Sequence, residues 1–531
     1  MTQITGLPND PEHDLTASYA LDPAYVARLT ARVVSSTGRA VAVHAPASGQ
    51  PLATVPQSSA EDVAEAFDRA RRAQRAWQQV PIDDRAAMLL RLHDLVLDRQ
   101  DEILDLICWE SGKARKHAFD EPLHVALTAR YYARTAHRHL DTQRRLGVIP
   151  RLTRAEVNRI PKGVVGIISP WNYPFTLALC DGLPALLAGN AVVIKPDAQT
   201  MLSALLGAQL LEEAGFPPDL WTVVAGPGRE LGTPMIERSD YVCFTGSTAT
   251  GKLIAKQCAD RLIGCSLELG GKNPILVLRD ADVERAAEGA VRACFSNAGQ
   301  LCVSTERLFV ADQVYDRFVD RFVARTEAMS LGTSTDWGVD MGTLISRQQL
   351  DAVTRHVDDA VAKGATVRAG GRARPDLGPF FYEPTILEGV SPQMACFGEE
   401  TFGPVVSIYR FHDEADAIAR ANEGEYGLNA SVYSRDTRRA RDVARQVKCG
   451  TVNINEAFAA TFASIDAPMG GMRESGLGRR QGAEGIHRYT ETQAVASQAL
   501  LRFGPQFGMS DEQYARTMTM SLRLLKKLGR A

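Results

Sequence analysis

Tyr241-Val242-Cys243-Phe244-Thr245-Gly246-Ser247-Thr248-Ala249-Thr250-Gly251-Lys252-Leu253 runs from an apolar strand through a glycine turn into the start of a helix. A run apolar on both faces suits a sheet covered on both sides, and a glycine turn that opens a helix can offer backbone N–H groups to a pyrophosphate. Gly246 to Lys252 nearly spells G-x-x-x-x-G-K-S/T, the phosphate cradle of P-loop nucleotide hydrolases. Leu253 stands at the last position and has no hydroxyl to hold Mg2+. A phosphohydrolase is therefore disfavoured. A nucleotide-binding turn and a plain strand–helix turn both stay open on this segment.

The same texture extends outward. Val164–Ile168, Ala191–Ile194, Thr222–Ala225 and Ser266–Leu269 are further short apolar runs bounded by Gly, Pro or Asn, and helical patterns over 200–214 and 249–259 lie between them. This is the βαβ rhythm of a doubly wound sheet. A second series begins near Pro274: Ile275–Leu278, a helix over 282–297, Leu308–Val310, a helix over 313–330, Val405–Tyr409 and Gly450–Ile454. The expected fold class is α/β, with two doubly wound domains meeting near residue 270.

Before them, residues 1–40 are polar with weak periodicity and are expected to form an irregular arm. Ser58 and Glu61 suggest a capping box ahead of a helix over 61–79, whose Val63, Phe67, Ala70 and Trp77 share one face. Further helices are expected over 83–110 and 121–141. His137 and His139 stand two apart on the latter and point in different directions, so no metal site is expected there.

Sixty Lys+Arg against 63 Asp+Glu give a net charge of −3, which offers no electrostatic footprint for nucleic acid. With 45% hydrophobic and 23% charged residues, disorder, collagen and a disulfide scaffold are excluded. Nine cysteines, an odd number without a CxxC pair, fit a reducing compartment. Met1-Thr2-Gln3-Ile4 begins no signal peptide, and no apolar stretch of about 18 residues is present. A cytoplasmic location is expected.

Two residues could carry chemistry. Glu268 is a lone carboxylate in the apolar run Leu267-Glu268-Leu269, either paired with a cation such as Lys272 or poised as a general base. Cys302 ends the turn Phe295-Ser296-Asn297-Ala298-Gly299-Gln300-Leu301-Cys302, where a thiol can be inert packing or a nucleophile. Gly264-Cys265-Ser266-Leu267-Glu268 imitates G-x-S-x-G but ends in Glu, so a serine hydrolase has little support.

Order and spacing add a further pattern. Asn172 in Ser169-Pro170-Trp171-Asn172-Tyr173-Pro174, Glu268, Cys302, and Glu400 in Glu400-Thr401-Phe402-Gly403-Pro404 follow one another at intervals of 96, 34 and 98 residues. With Lys195-Pro196, Pro384-Thr385, Pro468-Met469-Gly470-Gly471 and Glu474-Ser475-Gly476, this sequence resembles the aldehyde dehydrogenase superfamily from about residue 40 to 495. Its texture is closest to a branch labelled succinate-semialdehyde dehydrogenase.

The resemblance implies an NAD(P)-dependent oxidation of an aldehyde to its acid. Cys302 would add to the carbonyl, with Asn172 and the Cys302 backbone N–H as oxyanion hole. Hydride would then leave the thiohemiacetal for the nicotinamide, and Glu268 would activate the water that hydrolyses the thioester. Lys195 would bind the adenosine ribose, Gly246 and Ser247 the pyrophosphate, and Glu400 the nicotinamide ribose beside Phe402. Trp171, Gly251 and Leu269 would complete the cofactor groove, with Tyr173, Cys180, Leu301, Val303, Phe458 and Phe462 lining the substrate tunnel. Many NAD-preferring members carry Lys-Pro-x-Glu. Here Ala198 leaves room for a 2′-phosphate, so NADP is the expected cofactor ahead of NAD, with Asp197 as a contrary charge and no metal.

Other features bear on substrate and assembly. The two arginines that better understood enzymes of that branch use for a substrate carboxylate correspond here to Cys180 and Ser296. Either Arg292 or Arg473 substitutes, or Phe458 and Phe462 favour an aliphatic aldehyde in an apolar tunnel. The resemblance also implies a small β bridging element from about 146–160 and 483–500, and a homodimer or homotetramer. On this basis the chain divides into 1–145, 146–160, 161–270, 271–470, 471–500 and a tail, 501–531. The tail helix over 510–528 carries Met518, Leu522, Leu525 and Leu528 with Arg523, Lys526 and Lys527. It is expected to dock on protein, with a weak membrane-surface contact as the alternative. A non-catalytic relative is improbable with every catalytic side chain present, and Glu268 argues for water, not coenzyme A, as acyl acceptor.

Overall fold

The segment at 241–253 folds as its residues dictate. Tyr241–Thr245 is a wholly buried strand, and Ser247 then takes extended φ/ψ while its Oγ accepts from Thr250 N at 3.4 Å, starting the helix Thr248–Asp260. The computed structural model describes residues 21–149, 152–500 and 502–529. The chain forms two units, residues 1–139 with 161–489, and residues 140–160 with 490–531.

The larger unit holds two sheets that position the site. In the first, the strand order in space is Gly476–Leu477, Gly264–Glu268, Tyr241–Thr245, Val164–Ile168, Ala191–Lys195, Trp221–Val223. All neighbours are parallel except Gly476–Leu477, whose Gly476 pairs with Glu268. The second has seven strands, in the order Thr366–Ala369, Thr385–Glu388, Val405–Phe411, Thr305–Ala311, Asn273–Val277, Asn429–Tyr433, Thr451–Ile454. Only Thr366–Ala369 runs antiparallel there. Helices such as Met201–Glu213, buried along most of its length, cover the sheets. The second sheet builds one apolar core from Ile275, Leu308, Val406 and Val432 with Phe318 and Phe322 of the helix Tyr315–Glu327.

Several local expectations shift. Residues 1–20 of the expected arm lie outside the described residues, but the remainder is not irregular. Asp22 caps a helix, Pro23–Thr30, and Ala40–His44 pairs antiparallel with Pro51–Pro56. The capping box sits one residue later than expected, on Ser59 and Asp62, because Ser58 is buried and donates to Val34 O at 2.6 Å. The helix over 83–110 is two helices, Ile82–Asp98 and Gln100–Ser111, broken at Arg99, where φ is −103° and ψ 24°. The helix over 282–297 stops at Phe295, because Ser296 turns to ψ 133°. The two histidines diverge, His137 Nε2 lying 2.8 Å from Asp83 Oδ1 and His139 Nε2 3.1 Å from Tyr131 Oη.

In the smaller unit Gln143–Arg145 pairs antiparallel with Thr153–Pro161, and Thr490–Gln498 flanks the latter. Ser510 and Gln513 form a capping box on the tail helix Asp511–Lys527, none of whose side chains is buried. Among the described residues no helix is long and apolar enough to cross a membrane.

Candidate active site

The turn from Ser296 to Cys302 has unusual backbone. Asn297, Ala298 and Gly299 all take positive φ, at 52°, 53° and 71°. For a non-glycine residue this conformation is costly and persists only where the surroundings impose it. Asn297 N donates to His117 Nδ1 at 3.2 Å, and Asn297 Nδ2 donates to the Asn172 and Gln300 carbonyls at 3.1 Å each. Gln300 bridges Thr343 O and Ile345 N. A Cβ at residue 299 would stand 2.0 Å from Gly403 O, so glycine is required there. The Cys302 carbonyl is held by Asn273 Nδ2 at 2.7 Å. The result is a rigid loop that presents a half-buried thiol.

Asn172 and Glu268 converge on this loop. Asn172 is buried and donates from Nδ2 to Gln300 O at 3.0 Å, two residues before Cys302. Glu268 ends its strand and is 5% exposed, and its Oε1 has no hydrogen-bond partner among the described residues. Burial pushes its carboxyl up to about 7, against the pull of Arg480. Burial, helped by the Glu268 and Glu400 carboxylates, pushes the Cys302 thiol up to about 12. A thiol so raised stays protonated near neutrality and needs a base within reach. An unpartnered carboxyl whose pKa lies near 7 can be that base.

Most of the cofactor candidates lie at the ends of the first sheet's strands, with Glu400 and Phe402 on the loop before Val405–Phe411. Gly246 N donates to Glu268 O at 3.0 Å, so the glycine turn and the base share one strand pair. A Cβ on Gly251 would meet Leu269 Cδ2 at 2.5 Å, so glycine lets that helix close on Leu269. Lys195 is buried, and among the described residues its Nζ donates only to backbone carbonyls, Pro196 O at 3.0 Å and Gly226 O at 3.5 Å. Ala198 is exposed beside it. Asp197 caps the short turn Ala198–Thr200, accepting from Gln199 N at 3.0 Å, which commits the carboxylate locally. Glu400 accepts from Gly271 N at 2.7 Å, and its carboxyl is pushed up to about 8 by burial and by Glu306. Trp171 meets Phe402 edge-on at 5.5 Å. Glu306, paired with Lys272, accepts from Thr401 N and Phe402 N at 3.0 Å and fixes that loop.

Apolar walls flank the thiol. Tyr173, Leu301, Val303 and Phe458 share one core cluster, with Cys302 and Phe462 packed against it. Cys180 Sγ lies 3.3 Å from His124 Nδ1, and His124 stacks on Phe462 at 4.0 Å. The Tyr173 hydroxyl is buried without a partner among the described residues. Lys113 Nζ lies 3.7 Å over the Tyr173 ring.

Of the cations named as alternatives, Lys272 is not the partner of Glu268. Lys272 pairs with Glu306, and the cation nearest Glu268 is Arg480, at 3.9 Å. Nothing in the sequence singled out Arg480, which sits in a glycine-rich run that reads as a turn. Arg473 donates to Asn422 O and Gly424 O at 2.8 and 2.9 Å and is thereby held at that loop. Arg292 remains, 5.5 Å over the Phe458 ring and 3.9 Å from Asp120. It lines a cavity of about 270 Å³ with Lys116, His117, Asp120, Phe295 and Ser296. Among the described residues no three His, Cys, Asp or Glu side chains could jointly hold a metal ion.

The chain is similar to known proteins. A Mycolicibacterium smegmatis protein named "Putative succinate-semialdehyde dehydrogenase (NADP(+))" is 52% identical over 480 residues, covering 90% of this chain and 93% of that one. A Mycobacterium tuberculosis protein named "Putative succinate-semialdehyde dehydrogenase (NADP(+)) 2" is 47% identical over 480 residues, with the same coverage. The crystal structure of an E. coli NADP dependent enzyme matches with a TM-score of 0.84 at 37% identity, covering 88% of this chain and 96% of that one. The model of the aldehyde dehydrogenase family matches residues 33–495, and the chain belongs to that family.

Proposed function

We propose that this aldehyde dehydrogenase oxidises succinate semialdehyde, or a similarly short aldehyde with a distal anion, with NADP as the preferred acceptor. The observation that carries the chemistry is the buried Glu268 carboxyl, whose Oε1 accepts no hydrogen bond among the described residues, acting electrostatically on the Cys302 thiol of a loop pinned by Asn172. Glu268 takes the thiol proton as sulfur adds to the carbonyl. The developing oxyanion accepts from the second N–H of the Asn172 amide and from the Cys302 backbone N–H. The nicotinamide, when bound, supplies the acceptor for the hydride whose loss leaves a thioester on Cys302. Glu268 then takes a proton from the water that attacks the thioester, and the acid departs.

The residues around Lys195 support a dinucleotide with a 2′-phosphate. Lys195 is a buried cation held by two carbonyl oxygens, Asp197 is committed to its own turn, and Ala198 leaves space beside them. Glu400 would hold the ribose next to the nicotinamide, with Trp171 and Phe402 packing around it. This division gives the first sheet to the cofactor and the second to the thiol, with their boundary near residue 270.

The names of the relatives favour an anionic substrate over the aliphatic alternative, and Arg292 is the cation we assign to its distal end. A homodimer or homotetramer assembled on the smaller unit accounts for that unit's exposed Leu146, Val148 and Val495. The test is a panel of succinate semialdehyde, propanal and hexanal with NADP+ and NAD+, followed at 340 nm with Cys302→Ala as control. Succinate semialdehyde with NADP+ is expected to give the highest kcat/KM. Preference for hexanal, or for NAD+, overturns the corresponding half of the proposal. Light scattering on the purified protein reads the subunit count.

A further inference from the structure

Behind Glu268 lies a buried cluster that the reaction as described does not use. Arg480 Nε stands 3.9 Å from Glu268 Oε1, and both side chains are almost wholly buried, at 8% and 7% exposure. Neither atom has a hydrogen-bond partner among the described residues. The guanidinium is fixed at its other end, where Nη2 donates to Asp181 Oδ2 at 3.0 Å and to Thr245 Oγ1 at 3.1 Å. Asp181 Oδ1 in turn accepts from Arg488 Nη2 at 2.7 Å. Arg488 Nη1 donates to Ser266 Oγ at 3.1 Å, two residues before Glu268 on the same strand. Arg480 therefore cannot swing away, and its unused N–H edge stays turned to the carboxylate.

Charge makes the arrangement one-sided. Two guanidiniums and one aspartate leave this buried cluster with one positive charge in excess. An ionised Glu268 cancels it, and a protonated Glu268 does not. The gap is longer than a hydrogen bond, yet a rotation of the carboxyl by about 1 Å would close it. Other groups facing Glu268 are Arg479, which donates to Gly471 O and Gly478 O, and the Cys302 thiol. His124 faces Arg480 and Asp181 and is kept neutral by burial.

We propose that Arg480 is a positioning residue for the base, capturing the Glu268 carboxylate through Nε–H when it is ionised and releasing it when it carries a proton. Each turnover asks Glu268 to take one proton from the thiol and one from water, so it must give the first to solvent in between. Arg480 favours that release, and Asp181 limits how strongly it does so. This inference rests on Glu268 being the base.

The test compares Arg480→Met, Arg480→Lys and Asp181→Asn by the pH profile of kcat, with both succinate semialdehyde and propanal, on the full chain. Arg480→Met is expected to move the acidic limb up by about one pH unit and so lower kcat at pH 7 about fivefold, with Arg480→Lys recovering most of both. Asp181→Asn removes a negative charge and should move the limb down. Damage to folding would not produce opposite signs. Should Arg480→Met not fold, Arg480→Gln takes its place with the same expected sign. Limbs that stay in place in both the uncharged Arg480 variant and Asp181→Asn, or that move the same way, overturn the proposal. A rise in KM confined to succinate semialdehyde in the Arg480 variants also overturns it, since Arg480 would then hold the substrate. Glu268→Gln separates the two levels: if its acidic limb matches the wild type, Glu268 is not the base and the proposed chemistry itself fails.

Discussion

The side-chain nitrogen of Asn172 donates to the carbonyl of Gln300 at 3.0 Å, and so ties that amide to the loop that ends in Cys302. One bond thus fixes the oxyanion donor and the nucleophile of the proposed chemistry relative to each other. Removing an oxyanion donor typically costs about 10²–10³ in kcat. Asn172→Ala is expected to lose at least that much, because the left-handed turn at 297–299 also loses an anchor. Steady-state rates with the saturated aldehyde check this, and a loss below tenfold would remove Asn172 from the oxyanion hole.

Glu268 gives a pH prediction. Its carboxyl is pushed up to about 7, and only the ionised form can take a proton. Turnover should therefore fall as pH drops through about 7 and level off above about 8. Glu268→Gln should retain cofactor binding and lose turnover by about 10²–10⁴. Steady-state turnover between pH 5.5 and 9 reads the first outcome, and fluorescence titration with NADPH reads the second.

How much of this was legible in the chain depended on distance along it. The strand–glycine–helix run at 241–253 specifies its own conformation, because burial of Tyr241–Thr245 and the Ser247 cap are local effects. Asn172, Glu268, Cys302 and Glu400 were legible only as an ordered set, since each residue alone is more often structural. Arg480 was not legible. Its significance arises from Asp181, 299 residues away, and from a strand pairing that brings Gly476 beside Glu268. Likewise, nothing local marks Glu306 as the clamp of the loop at 401–402. The same limit applies to Lys272, which is near Glu268 in sequence but lies just before the strand Asn273–Val277 and pairs with Glu306.

The proposed preference for NADP makes Ala198 the residue to test. A glutamate there would set a second carboxylate beside Lys195 and repel a 2′-phosphate. Ala198→Glu is expected to lower kcat/KM with NADP+ at least about tenfold and to leave or raise that with NAD+. Initial rates with both cofactors decide it, and unchanged discrimination would place the 2′-phosphate elsewhere.

For the substrate, Arg292→Gln should raise KM for succinate semialdehyde about tenfold or more and leave propanal unaffected. Arg292 meets the loop through its backbone carbonyl, which accepts from Ser296 Oγ at 2.7 Å and is kept in the variant, so kcat with propanal serves as the internal control. Equal effects on both aldehydes would show that Arg292 supports Phe458 instead of the substrate anion.

Two buried histidines predict acid sensitivity. Burial holds His117 and His124 at about 3, whereas unfolded imidazoles titrate near 6.5. The unfolded chain thus binds protons that the folded chain refuses, and stability falls as pH drops from about 6.5 towards 3. Each imidazole contributes a slope of up to about 1.4 kcal/mol per pH unit inside that window. Raised carboxyls such as Glu110 and Glu400, at about 7 and 8, act in the opposite sense, since the folded chain keeps their protons longer. The histidines are therefore isolated by comparison, with urea midpoints measured at pH 7.5 and 5.0 for the wild type and for His117→Gln with His124→Gln. The wild type should lose more stability on acidification than the double variant, even though the variant starts lower. His117 receives Asn297 N at 3.2 Å, so its protonation would also release the loop that holds Cys302. Equal acid losses in the two proteins would show that these imidazoles take up their protons without unfolding.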